Sequence, residues 1–100
     1  MHNKELNMKN RRLIVLDADQ LTNRKSAHAY LEETFEFPDY YGHNLDALHD
    51  CLSEIDEETV VIIEKEQLLK MCLYRYAYRI LTVLNDAAKE NPNLSIRFTD

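Results

Sequence analysis

Three short apolar runs, LIVL (13–16), TVVII (59–63) and LSIRF (94–98), are separated by two long stretches of helical composition. This spacing constrains the fold more than any other feature of the chain. Antiparallel neighbours can be joined by a tight hairpin, whereas strands joined through helical crossovers pair in parallel, with right-handed connections. The expected architecture is α/β: a three-stranded parallel sheet with helices packed around it, in the order β-αα-β-αα-β. LIVL and TVVII are continuous apolar runs, the pattern of strands buried on both faces. Leu94, Ile96 and Phe98 alternate with polar residues, the pattern of a strand with one exposed face.

The intervening segments carry helical periodicity. Ala27, Tyr30, Leu31, Thr34 and Phe35 fall on one helical face, with Ser26 as the expected N-cap. Pro38 ends that pattern and biases Phe37 toward extended backbone. DYYGHN (39–44) reads as a loop, and Asn44 is a suitable N-cap for a second helix. Leu45, Leu48 and Leu52 form its inner stripe, with Ala47 or Cys51 beside them. Residues 66–90 contain neither glycine nor proline. Leu69, Leu73, Tyr76, Ala77, Ile80, Leu84 and Ala87 form a long apolar face there, with a break expected near Met71–Tyr74. Asn91-Pro92-Asn93 is a stop and turn.

One hundred residues, 45% of them hydrophobic, suit one small domain. We assign it to 11–100, after a loose polar leader at 1–10. No apolar run approaches a membrane span, and MHNKELNMKNRR lacks the apolar segment of a secretory signal, so the expected location is the cytoplasm. Cys51 and Cys72 match no zinc or redox spacing and are expected to be small, mostly buried thiols. No nucleophile elbow, phosphate loop or cofactor motif is present.

Charge is informative through its distribution. The formal net charge is −6, yet Asp39 to Glu58 alone holds seven carboxylates and no lysine or arginine. The start of the chain is basic, with Lys4, Lys9, Arg11 and Arg12 against Glu5. A single acidic block argues against contact with phosphate backbones there and for a cationic partner. Within it, Asp46 and Asp50 lie four apart and share a helix face opposite the leucines. Asp46 sits in the first turn, where the helix dipole favours a carboxylate, whereas Asp50 gains little from it. An exposed like-charge pair of this kind costs only about 0.2–0.5 kcal/mol, so a solvated face without function is one reading. A binding surface is another, because Tyr40 and Tyr41 precede the pair and Asn44 and His49 ring it. One of the two tyrosines is expected to be core. Gly42, the only glycine, implies a positive φ or a close backbone approach. His43, Asp46, His49 and Asp50 would also serve a metal-dependent hydrolase if they converged, although the helical zinc motif is absent. YRYAYR (74–79) is basic and aromatic, which suits single-stranded RNA, but Tyr74 and Tyr78 share a helix face that suits packing.

The stretch PDYYGHNLDALHDCL (38–52) resembles the barstar family, intracellular inhibitors of barnase-type ribonucleases, in the pattern Pro-x-Tyr-Tyr-Gly-x-Asn-Leu-Asp-Ala-Leu-x-Asp-x-Leu. The order of elements fits over most of 12–99, and the tail LNDAAKENPNLSIRF fits more loosely. The resemblance implies a non-catalytic protein whose loop and second helix plug a small basic ribonuclease, one to one, with carboxylates in place of RNA phosphates. It implies Asp50 as the central anchor, Asp46 paired with a second basic residue and Tyr40 packed on the enzyme's histidine. Gly42 and Asn44 would contact through loop and backbone, with Tyr41 and Ala47 in the same surface and Asp86 on the last helix adding a further acidic contact. The chain departs from the family at His43, where the family carries an acid, at His49, where it carries tryptophan, at Ile55, where it carries an aromatic, and at Asp86, one methylene shorter than glutamate. Protonation of His43 or His49 would reduce the negative charge of this surface, so binding to a cationic site is expected to weaken on acidification.

Overall fold

A computed structural model of the chain describes residues 11–100; the expected leader at 1–10 lies outside the described residues. These form strands β1 (Arg12–Val15), β2 (Thr59–Glu64) and β3 (Leu94–Thr99) and helices α1 (Arg24–Phe35), α2 (Leu45–Ser53), α3 (Lys65–Leu73) and α4 (Arg75–Glu90), with a 3-10 turn at Ala18–Leu21. The sheet is parallel throughout, with β2 central: Ile14 pairs with Val61, and Val61 with Ile96. The β-αα-β-αα-β order stands.

The core lies on one face of the sheet. Ile14, Leu16, Val61, Ile63 and Leu94 meet Leu31, Phe35, Leu48, Leu52, Ile80 and Leu84 from the helices. The pleat sends alternate residues of β1 the other way, and Leu13 and Val15 are 60% and 54% exposed. LIVL is therefore an edge strand buried on one face only. Its apolar run resembles a two-sided core strand, but the second face of this edge has no covering layer among the described residues. In β3, Leu94 is buried, Ile96 packs partly against the core and Phe98 is more than half exposed, so inward alternation fades toward the strand's end.

Two helix details differ from the sequence expectation. Asn23, not Ser26, caps α1: its side-chain oxygen accepts from the Ser26 N–H at 3.0 Å, which puts Ser26 in the first turn. The break between α3 and α4 falls at Tyr74, inside the expected Met71–Tyr74 stretch, where the backbone is extended, but its effect on the faces differs from expectation. That break resets the helical phase. Ala77, Ile80, Leu84 and Ala87 face the core as expected, but Leu69 and Leu73 point outward, Leu73 at 81% exposure, and Met71 takes the buried position on α3. Helix α1 ends on Glu36 in the left-handed region, φ 59°.

Asn91 does more than stop α4. Its buried amide donates to the carbonyls of Leu52 at 2.9 Å and Ile55 at 3.0 Å, and its oxygen accepts from the Asn93 N–H at 2.9 Å. One side chain thereby adds a shorter bond to the Leu52 carbonyl, which also receives the Ile55 N–H at 3.4 Å, reaches the Ile55 carbonyl just past the helix, and fixes α2 against the entry to β3. The acidic helix is held at both ends, by Asn91 and by its own N-cap.

Candidate functional site

The N-cap is Asn44, whose side-chain oxygen accepts from the Ala47 N–H at 2.7 Å. Leu48 and Leu52 are fully buried, and Leu45, Ala47 and Cys51 pack partly against the core. With that stripe inward, helical spacing puts Asp46 and Asp50 outward, and both are exposed. Neither carboxylate forms an ion pair among the described residues.

The loop before α2 separates its two tyrosines. Tyr40 is 78% exposed, whereas Tyr41 is 5% exposed. The Tyr41 ring packs on Phe37, with centroids 4.8 Å apart, and on His43 at 5.1 Å. Its hydroxyl meets Nδ1 of His28 at 2.5 Å, and Nε2 of the same imidazole meets the Tyr76 hydroxyl at 2.7 Å. His28 is fully buried between them. A neutral imidazole matches this arrangement, since one ring nitrogen donates and the other accepts. Burial, then His43 and Arg24, push the His28 pKa below its usual value, so the ring stays neutral. Burial likewise raises both tyrosine hydroxyls, which keep their protons. Tyr41 is the loop's anchor to α1 and α4, not a surface contact. His28 stands isolated in the sequence and gave no signal of this role.

Gly42 has no positive φ; that conformation falls on His43, φ 54°. What Gly42 supplies is close approach: a Cβ there would lie 3.3 Å from the Ala47 Cβ and 3.4 Å from the Asn44 amide nitrogen. Gly42 and Ala47 thus meet each other, which seats the loop on the first turn of α2. His43 Nε2 reaches Glu32 Oε1 on α1 at 2.7 Å, and His49 Nε2 reaches Glu90 Oε1 on α4 at 3.2 Å. The two histidines are drawn to different helices, and no group of three or more His, Cys, Asp or Glu is arranged to hold a metal among the described residues. Asp86 is exposed on α4, one turn before Glu90, on the helix that packs against α2.

Two grooves flank α2. One, about 260 Å³, lies beside Tyr40 and is walled by Phe37, Ile55, Glu54 and Asp56. Ile55 therefore shares a cavity with the exposed tyrosine. The other, about 230 Å³, is lined by Arg24, Asn44, Leu45, Asp46, Tyr76 and Arg79. The acidic stretch lacks basic residues along the chain, but folding brings two arginines to its first turn. Sequence reading missed both grooves, because each draws on elements far apart in sequence.

The remaining expectations divide. Cys51 is half-buried, and burial with Glu54 and Asp50 nearby raises its thiol pKa; Cys72 is exposed rather than buried. Tyr74 packs on the core, but Tyr78 is 54% exposed. No helix among the described residues is long and apolar enough to cross a membrane.

Residues 11–99 match the family model described as barstar (barnase inhibitor). YrdF of Bacillus subtilis (strain 168), a candidate ribonuclease inhibitor by its name, is 35% identical over 80 residues, covering 79% of this chain and 88% of that protein. A match across nearly all described residues, on the expected sheet and helix order, shows the family: the chain belongs to the barstar family.

Proposed function

We propose that this protein inhibits a small basic ribonuclease of the barnase type, without catalytic activity of its own. The observation that carries the reading is the pair of exposed, unpaired carboxylates, Asp46 and Asp50, on a core-anchored helix beside the exposed ring of Tyr40. Family membership and the named relative support the inhibitor role. In the complex, Asp50 enters the pocket that holds an RNA phosphate, Asp46 pairs with a second base and Tyr40 lies against the enzyme's histidine. Gly42, His43, Asn44 and His49 complete the rim, with Asp86 on α4 as an outer acidic contact, while Tyr41 and Ala47 act from beneath.

The docking face is pre-organised. Its charges sit on a helix held by Leu48, Leu52 and Asn91, and its loop is tied down through Tyr41 and His28. Little ordering entropy remains to be lost on binding. The acidic block speeds encounter with a cationic enzyme, so association should slow as salt rises. The complex is one to one, free of nucleic acid and cofactor, and forms in the cytoplasm. The test is inhibition of a barnase-type ribonuclease by wild type and by Asp50→Ala. Loss of inhibition with unchanged folding supports the reading, and absence of inhibition by wild type retires it.

A further inference from the structure

The groove on the Asp46 side of α2 carries charge of the opposite sign to the rest of the docking face. Arg24 opens α1, and Arg79 lies one turn into α4, next to Tyr76 on the helix surface. Both guanidinium groups are close enough to bear on the Tyr76 hydroxyl, whose bond to His28 joins the two helices beneath them. Both line the groove with Asp46, yet among the described residues none of the three forms an ion pair. Arg24 also breaks a local rule. A cation in the first turn opposes the helix dipole, and that turn of α1 contains no acidic residue to offset it. Such a local conflict, with Arg24 in no ion pair among the described residues, is typical of a functional position.

We infer that Arg24 and Arg79 form a receptor for a carboxylate side chain of the ribonuclease, so that the partner carries an acidic residue beside the base that meets Asp46. The inference rests on the ribonuclease reading and deepens it: the docking face is two-signed. A protein carboxylate is the occupant favoured by charge. A free polyanion would be repelled by the carboxylates from Asp39 to Glu58, whereas a protein that offers bases to Asp46 and Asp50 brings its own acid into register. Planar guanidinium forks suit a carboxylate better than an ammonium would. The alternation also selects among basic enzymes, because a ribonuclease with a base at that point would place like charges together.

The sign of a charge reversal tests this. If the facing enzyme surface is uniformly basic, Arg24→Glu/Arg79→Glu should strengthen inhibition of a barnase-type ribonuclease. If it carries the inferred acid, the double variant should weaken inhibition by about a hundredfold, and Arg24→Ala/Arg79→Ala by about tenfold. Arg24→Lys/Arg79→Lys should recover part of the loss. Arg97→Glu, on the exposed face of the sheet away from the helices, serves as the remote control and should not weaken inhibition. Urea unfolding of each variant confirms folding, and the alanine pair stands in if the glutamate pair does not fold. Inhibition that is unchanged or stronger in both double variants, while Asp50→Ala still loses it, overturns the arginine receptor alone. Failure of wild type to inhibit overturns the ribonuclease reading and the receptor together.

Discussion

Nδ1 of His28 lies 2.5 Å from the Tyr41 hydroxyl, and this buried contact ties α1 to the loop that presents Tyr40. A surface tyrosine is thus oriented by the buried one beside it, and that one by a histidine thirteen residues away.

Stability should fall with pH because of this histidine. The native ring is held neutral, its pKa depressed below the ordinary 6.5 by burial first, then by His43 and Arg24; Tyr41 and Tyr76 are its other polar neighbours. Above pH 6.5 neither folded nor unfolded chain protonates this group, and its contribution is flat. Below 6.5 the unfolded chain takes up a proton that the native state refuses, so stability is lost by at most about 1.4 kcal/mol per pH unit. Urea unfolding from pH 5 to 8 should show this slope, reduced in His28→Gln. The variant should also be less stable at pH 7 by about 1–3 kcal/mol, through imperfectly paired tyrosine hydroxyls.

Asp50→Ala should separate binding from folding. An exposed aspartate without an intramolecular partner should shift stability by no more than about 0.5 kcal/mol. Inhibition should weaken by about 2 kcal/mol or more; the barstar–barnase pair is itself a reference case for such a hot spot, so this size comes with the family rather than from the geometry. Titration calorimetry beside thermal unfolding reads both quantities. Equal losses in the two would mark Asp50 as structural.

Asn91→Ala should cost about 1–3 kcal/mol, because the carbonyls of Leu52 and Ile55 lose their shared donor. Amide exchange should quicken at the end of α2. Exchange that speeds up in the sheet alone would show that Asn91 does not hold the acidic helix.

Glu36→Gly should raise stability by about 0.5–1 kcal/mol. A non-glycine residue at φ 59° carries left-handed strain that glycine relieves, less the entropy glycine loses on folding. A lowered urea midpoint would mean that the Glu36 side chain has a role beyond capping.

The sequence by itself determined the β-αα-β-αα-β order, the loop and N-cap that launch the acidic helix, and which of its faces is wet. These follow from local rules: strand and helix periods differ, asparagine caps, and leucines at helical spacing turn their opposite face to solvent. The family pattern in residues 38–52 was legible for the same reason, being contiguous. Only the tertiary structure decided that LIVL is an edge with one dry face, that Leu69 and Leu73 turn outward ahead of the Tyr74 break, and that the left-handed residue of the loop before α2 is His43 and not Gly42. It also decided what surrounds the site. His28 meets Tyr76 across 48 residues, Asn91 meets Leu52 across 39, and Arg24 and Arg79 come to Asp46 from different helices. Such contacts depend on how helices pack on a sheet, and one chain's residue spacing does not encode that packing locally.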